Sequence, residues 1–362
     1  MRPLIVDLGR DFRGGQHQAL LLLKGLRERG HAAELIAVRD SLLASKAIEL
    51  GVPVHHAHPA WRRLGAALHI RKLMRNHRMD ILHANEPHAL SAAWVARAGR
   101  AVPVVVSRRI ALPISQGFIS MARYRAAARV IAVSHFVEQS VILSGLPAER
   151  ITVIYDGVKI PQERSEIQRE SARAQLGIPN EATYIGNVAA FVPEKGHALL
   201  LESFAKLRAQ FPQCVLLLRG DGPELPRLQA LAQQLLIADK VKFLPPSTDI
   251  DTMFAAISIF AFPSHEEPLG SALLAAMAYA LPVAAIARGG VPEVVEDGQN
   301  GLLVKAIDSE KFACALARLL ANPEEAIRLG STARDTVMNN FSANRMVEET
   351  LHLYGILVSG AR

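Results

Sequence analysis

Three stretches of this sequence carry residue types that could act on a phosphorylated substrate. Phe191-Val-Pro-Glu-Lys-Gly196 lies between an aliphatic run and a helical pattern. An ammonium at such a turn, here Lys195, can neutralise a diphosphate leaving group; a plain solvated lysine is the alternative. In Phe262-Pro-Ser-His-Glu-Glu-Pro-Leu-Gly-Ser-Ala-Leu-Leu-Ala-Ala-Met-Ala278 an apolar strand ends in an acidic turn, and Gly270 and Ser271 then open an apolar helix. The free amides of Gly270, Ser271 and Ala272 can hold an anion. A carboxylate beside them, Glu266 or Glu267, can accept hydrogen bonds from sugar hydroxyls. Acidic residues also simply cap helices, for about 1 kcal/mol. Gly14-Gly15 follows the first aliphatic run and precedes a helix. Backbone can approach a phosphate closely there, or the pair can merely make a tight turn.

These turns need elements to hold them. Aliphatic runs at Leu4–Leu8, Ala33–Val38, Val52–His55, Asp80–His83, Val102–Ser107, Val130–Ser134 and Ile151–Tyr155 alternate with helical patterns such as Gln16–Arg29 and Leu64–Asn76. The alternation restarts at Tyr184–Phe191 and continues through Val215–Arg219, Val241–Leu244, Ile257–Phe262 and Pro282–Ile286. Strand, helix, strand in repetition means parallel βαβ units. The polar stretch Lys159–Glu181 reads as a connection. The expected organisation is a Rossmann-like domain over 1–160, a connection over 161–180, a second such domain over 181–342, and a C-terminal helix over 343–362 packing back towards the first domain. Ligands in doubly wound sheets sit beyond the carboxyl ends of the strands.

Composition agrees. A chain of 362 residues fits two domains, and 50% hydrophobic residues with 5% aromatics suit helices on parallel sheets. Cys214 and Cys314 are far apart and form no CxxC, so neither a disulfide framework nor a thiolate metal site is expected, and both read as core residues. Asp7 and Arg10 interrupt the apolar start, so no signal peptide is expected, and no run reaches the roughly 18 apolar residues of a membrane span. A cytoplasmic setting is the default. Residues 1–175 hold 26 Lys+Arg against 14 Asp+Glu, and the remainder 15 against 20. A basic first half attracts phosphate, nucleic acid or anionic lipid. With no helix-turn-helix pattern or aromatic-interleaved basic patch, nucleic acid is not an expected partner.

In order along the chain, the Gly-Gly loop, Asp80-Ile-Leu-His83, Ile131-Ala-Val-Ser134, Val153-Ile-Tyr-Asp-Gly-Val158, Pro193-Glu-Lys-Gly196, Gly220-Asp-Gly222, Pro263-Ser264 with Glu267, Ala276-Met-Ala-x-x-x-Pro-Val283 and Gly289-Gly-x-Pro-Glu293 resemble the retaining glycosyltransferases of family 4. The resemblance spans nearly the whole chain and is more specific in the C-terminal half. It implies an α/β GT-B fold, two Rossmann-like doubly wound domains facing a central cleft. It further implies a nucleotide-sugar co-substrate, UDP- or GDP-linked, with no metal and no other cofactor. By the resemblance Lys195 is the diphosphate cation and Glu267 faces the donor sugar. Gly15, Gly220, Leu269, Gly270 and Ser271 are expected at the donor. Gly14, His83, Glu86, Arg108 and Arg109 are expected at the acceptor or diphosphate.

Four positions depart from the family pattern. Ala275 stands where a second glutamate grips the ribose, Ala190 where an arginine precedes the lysine, Ala280 where a glycine is usual, and Arg109 where a histidine is usual. Arg108 or Arg109 is the expected replacement for the missing positive charge. The leading expectation is a transferase acting on a glycan or a lipid-linked, lipopolysaccharide-type acceptor, peripheral on the inner face of the cell membrane. The basic clusters Arg71, Lys72, Arg75, Arg78 and Arg123, Arg125, Arg129 would meet the anionic surface. A nucleotide-sugar-binding scaffold, suggested by Ala190 and Ala275, is the alternative from another class. A sugar-nucleotide epimerase of similar shape is a third, disfavoured by the Glu267–Ala278 stretch and the Gly-Gly-x-Pro-Glu turn.

Overall fold

The computed structural model describes residues 1–76, 79–162 and 165–360; Arg78 lies outside them. The chain divides into two compact units, Met1–Gly157 with Ala343–Arg362, and Val158–Ser342.

The first unit runs β1 (Pro3–Asp7), α1 (Gly14–Glu28), β2 (Glu34–Val38), α2 (Leu42–Glu49), β3 (Val54–Ala57), α3 (Arg62–Arg75) and β4 (Ile81–Ala84). It continues with α4 (Pro87–Ala96), β5 (Val104–Arg108), α5 (Phe118–Arg125), β6 (Arg129–Ala132), α6 (His135–Leu143) and β7 (Ile151–Val153). The second unit opens with α7 (Glu166–Gln175), β8 (Thr183–Val188), α8 (His197–Leu207), β9 (Cys214–Arg219), α9 (Leu225–Gln234), β10 (Val241–Leu244) and α10 (Ile250–Ala256). Then come β11 (Ile259–Phe262), α11 (Ser271–Ala278), β12 (Val283–Ile286), α12 (Val291–Val294), β13 (Leu302–Val304), α13 (Ser309–Ala321) and α14 (Pro323–Asn340). The last helix, α15 (Ala343–Gly360), belongs to the first unit.

Both sheets pair in parallel throughout, in the orders β3-β2-β1-β4-β5-β6-β7 and β10-β9-β8-β11-β12-β13. Each is therefore a doubly wound, Rossmann-like sheet. Its order reverses between β1 and β4 in the first unit and between β8 and β11 in the second, which is where such sheets take ligands. The central strands are sealed on both faces: Leu4, Ile5 and Val6, like Phe260 and Ala261, are at most 1% exposed. That is why they read as unbroken aliphatic runs rather than as alternation.

Two local outcomes differ from the sequence reading. The stretch 161–180 is not only a connection, because α7 forms within it. Ser165 and Gln168 make a reciprocal capping box at its start, and Arg173, 4% exposed, stacks on the Tyr184 ring and donates to the Ala256 carbonyl (3.0 Å). A polar face on solvent and one buried arginine suffice to fix this helix, although few apolar residues announce it. Cys214 is buried as expected, but Cys314 lies on the exposed side of α13.

Helix α15 is tied to the first sheet by a buried polar contact. His83 on β4 is 1% exposed; its Nδ1 lies 2.5 Å from the Tyr354 hydroxyl and its Nε2 2.7 Å from Ser107 Oγ. Burial pushes the imidazole down to about 3, so it stays neutral.

Candidate active site

In the second unit, β8 leads through a short 3₁₀ turn, Pro193–Lys195, to Gly196 and α8. Gly196 has φ +69, and a side chain there would place its Cβ 2.1 Å from the Pro263 carbonyl oxygen, just beyond β11. Glycine thus lets the two loops at the switch point touch, and the His265 amide donates to the Glu194 carbonyl (2.8 Å). The contact brings Lys195 Nζ within 2.6 Å of Glu267 Oε2, with side chains 24% and 11% exposed. Ser264 Oγ, buried, donates to the same carboxylate oxygen (3.2 Å).

A third loop backs this pair. Gly289 has φ +62, and a Cβ there would lie 1.9 Å from the Glu267 carbonyl oxygen; the Gly290 amide donates to that oxygen (2.9 Å). Only glycines allow the loop after β12 to press so closely on the backbone of Glu267. Leu269, 2% exposed, anchors the acidic turn through its side chain. Gly270 is the N-cap of α11 and no side chain caps that helix, so its first-turn amides have no partner within the helix. The Gly220 amide closes β9 against the Leu244 carbonyl (3.1 Å). Nearby, His197 is 2% exposed with neither ring nitrogen hydrogen-bonded among the described residues. Burial and then the Lys195 charge push its pKa down to about 4. The arrangement offers an ammonium, helix amides and a hydroxyl-seeking carboxylate side by side. Ala190 is exposed and Ala275 partly so.

The first unit holds a polar network at its own switch point. Asp7, fully buried, accepts from Gln16 Nε2 (3.1 Å), Asn85 Nδ2 (2.6 Å) and the Gly9 amide (2.8 Å). Asn85 also donates to the Gly15 carbonyl (2.9 Å) and accepts from Arg109 Nη1 (2.8 Å). Arg109 Nε donates to Asp156 Oδ1 (2.8 Å) in a pair whose side chains are 16% and 10% exposed. Gly14 is the first residue of α1, and Asn85 links Gly15 of the Gly-Gly loop to Arg109.

Glu86 is the N-cap of α4. Its carboxylate accepts from the amides of Leu8 (3.2 Å), His88 (2.6 Å) and Ala89 (2.7 Å). Desolvation raises its pKa to about 7 and the charge of Asp7 adds to that, against the pull of the three amides.

Arg108 and His83 have different tasks from those expected. Arg108, 5% exposed, donates to the Tyr124 hydroxyl (3.2 Å) and the Leu112 carbonyl, and so pins the segment after β5. Every residue of β5 is buried, and α5, which carries Tyr124, covers the end that holds Arg108. His83 is enclosed with Tyr354 and Ser107, beyond reach of a ligand. The charge of Arg109 is met by Asp156.

The Glycosyltransferase Family 4 model matches residues 12–160, and the model for glycosyl transferases group 1 matches residues 168–336. The D-inositol 3-phosphate glycosyltransferase of Saccharomonospora viridis is 31% identical over 301 residues, 76% of this chain and 69% of that protein. The chain belongs to glycosyltransferase family 4. The lipopolysaccharide core biosynthesis glycosyltransferase LpsE of Rhizobium meliloti is 33% identical over 181 residues, 50% of this chain and 52% of that one. Among solved structures, Anabaena HepE in complex with UDP-glucose superposes with a TM-score of 0.82 at 26% identity, covering 97% of this chain and 99% of that one. This family member is thus a GT-B glycosyltransferase that moves a sugar from a nucleotide-sugar donor to an acceptor. Among its described residues no group of three or more His, Cys, Asp or Glu could hold a metal ion.

The sequence reading of this glycosyltransferase passed over Ser264, Asp7, Asn85 and Asp156 as site residues. Ser264 stood inside a motif already singled out, and its spacing of three from Glu267 is the signal that could have found it. The other three are polar residues at the ends of aliphatic runs. Only pairing across strands shows that they meet.

The titration of Glu86 gives a test. Its folded-state pKa lies above the ordinary value of about 4.5, so its contribution to stability is complete below about pH 4.5 and is lost as pH rises towards 7. Glu86→Gln removes that dependence. Thermal melts from pH 5 to 8 should show wild type losing about 3 °C or more relative to the variant. Parallel curves would show that Glu86 ionises normally.

Proposed function

We propose that this glycosyltransferase is a retaining enzyme that moves a hexosyl group from a UDP- or GDP-sugar to a lipid-linked or lipopolysaccharide-type acceptor at the inner face of the cell membrane. The observation that carries the donor half is the Lys195–Glu267 pair beside the uncapped start of α11. The UDP-glucose bound in HepE and the lipopolysaccharide role of LpsE support the two halves of the reading.

In this mechanism Lys195 exchanges the Glu267 carboxylate for the donor diphosphate. The amides of Gly270 and Ser271 share its charge, and Gly220 and Leu269 shape the surrounding turns. Glu267, released, accepts hydrogen bonds from the sugar hydroxyls while Ser264 holds it in place. The bond from the anomeric carbon to the diphosphate oxygen breaks. The acceptor oxygen bonds to that carbon on the same face, and its proton passes to the departing diphosphate. Charge that develops on the leaving group is met by groups already in place, which is where preorganised electrostatics lowers a barrier most. In the first unit Gly14, Gly15 and Arg109 serve the acceptor, with Arg109 oriented by Asp156 and Asn85.

Ala275 and Ala190 each remove one polar contact to the donor. A hydrogen bond to a charged group is worth about 1.5–3 kcal/mol, so each loss weakens donor binding by roughly 10- to 150-fold. A panel of UDP-, GDP- and ADP-sugars should show slow release of one nucleoside diphosphate, falling about 100-fold or more in Lys195→Ala. Binding of a nucleotide sugar with no release from any member would instead favour the scaffold.

For the membrane half, α3 and its N-cap present Trp61, Leu64 and Leu68, 67%, 52% and 65% exposed, in line with exposed Arg71, Lys72 and Arg75. Apolar residues leading into basic ones on one helix face suit an anionic interface. No helix among the described residues is long and apolar enough to cross a membrane. Wild type should co-sediment with phosphatidylglycerol vesicles at low salt and Leu64→Ser/Leu68→Ser should not; equal sedimentation of the two excludes α3 as the contact.

A further inference from the structure

At the end of the first sheet opposite the Gly-Gly loop lies a groove of about 560 Å³. It sits where β5 begins at Val104 and just before β6, between α3, α4 and α5, so a strand's length of about 15 Å separates it from Arg109. Arg71, Arg97, Arg100 and Arg123 line it, together with Trp94 and Ala127, and its lining includes no Asp or Glu.

Two of the arginines are fixed and two are unengaged. Arg71 Nη2 donates to the Val95 carbonyl (2.9 Å) and Arg123 Nη1 to Ser91 Oγ, so they grip α4 from two sides. The Arg123 Nε is buried and has no partner among the described residues. Arg97 and Arg100 are exposed, and among the described residues their side chains make neither an ion pair nor a hydrogen bond. Arg97 also holds a left-handed backbone, φ 59, at the C-cap of α4, a conformation rare outside glycine and asparagine.

Three helices, α3, α4 and α5, end near this groove. Their C-termini would account for some of the basic charge, since each carries roughly half a negative charge, about −1.5 in all. Four guanidinium groups exceed that by more than two charges, and no carboxylate lines the groove to take up the excess. The volume falls in the range of small-molecule sites rather than of single ions. Trp94, 42% exposed, gives it one apolar wall.

We infer that this groove is a second anion-binding site, separate from the transfer site, for a phosphate group carried on a glycerol or sugar unit. The guanidinium groups take the phosphate oxygens, and the indole covers the carbon face of the polyol. A phospholipid headgroup and a soluble glycerol or sugar phosphate share this chemistry. The inference does not rest on the donor reading, and its test uses no donor.

The test compares wild type with Arg97→Asn/Arg100→Ser, in which asparagine suits the left-handed position. Arg97→Lys/Arg100→Lys and the charge-matched Lys242→Ser/Lys311→Ser, in the second unit, serve as controls. Binding of glycerol 3-phosphate is measured by calorimetry and binding to phosphatidylglycerol vesicles by sedimentation. Leu64→Ser/Leu68→Ser in the calorimetric arm separates the groove from docking through α3. The expected result is binding in at least one arm, weakened tenfold or more in Arg97→Asn/Arg100→Ser and largely kept in both controls. Binding in both arms identifies a site open to soluble phosphates, and binding to vesicles alone identifies a headgroup site. Binding in neither arm, or an unchanged affinity in Arg97→Asn/Arg100→Ser, overturns the inference, as does an equal loss in Lys242→Ser/Lys311→Ser.

Discussion

An ammonium and a carboxylate 2.6 Å apart, Lys195 and Glu267, set the constraint around which the second unit is built. Both are largely withdrawn from water, so each charge depends on the other for compensation. Holding them together needs three loops in contact at one switch point. That contact explains glycine at two positions where any side chain would strike a carbonyl, Gly196 against Pro263 and Gly289 against Glu267. It also explains why Ser264 is buried, since its hydroxyl donates to the Glu267 carboxylate. On the proposed reading, the glycosyltransferase has a site whose positive charge is already placed before a donor arrives, and reorganisation is confined to one ion pair.

The first unit solves a related problem with neutral and ionic hydrogen bonds in a chain. Asp7, Asn85, Arg109 and Asp156 come from the ends of β1 and β4 and from the segments after β5 and β7, and each orients the next. Where the family pattern has a histidine, Arg109 supplies a planar guanidinium with several donors in a fixed fork. The cost of holding it at 16% exposure is offset by Asp156. A histidine does remain buried one strand away, His83, but as a neutral strut between β4 and α15. The same sheet therefore uses polar groups for two ends, one to fix α15 and one to shape a site.

Much of this was legible in the sequence because parallel strands announce themselves. Leu4–Leu8 and Ile257–Phe262 read as strands from unbroken aliphatic character, and Lys195, Glu267 and Gly270 read as candidates because turns after such strands are where ligands bind. What escaped has physical causes. Helix α7 is stabilised by capping at Ser165 and by one stacked arginine, Arg173, which leave almost no apolar period to detect. Arg108 and His83 looked like site residues because they end strands. Tertiary packing decides which way such residues face, and both face inward. Asp7 and Asn85 are 78 residues apart in sequence, so no local pattern could have paired them.

The account is tested most directly by calorimetric titration of a nucleoside diphosphate and of its sugar conjugate against wild type, Lys195→Ala and Glu267→Gln. If Lys195 serves the diphosphate and Glu267 the sugar, Lys195→Ala weakens both ligands by tenfold or more. Glu267→Gln weakens only the conjugate, and binds the bare diphosphate at least as tightly as wild type because the lysine has lost its competing carboxylate. Equal losses for both ligands in Glu267→Gln, or unaltered diphosphate binding in Lys195→Ala, would contradict it.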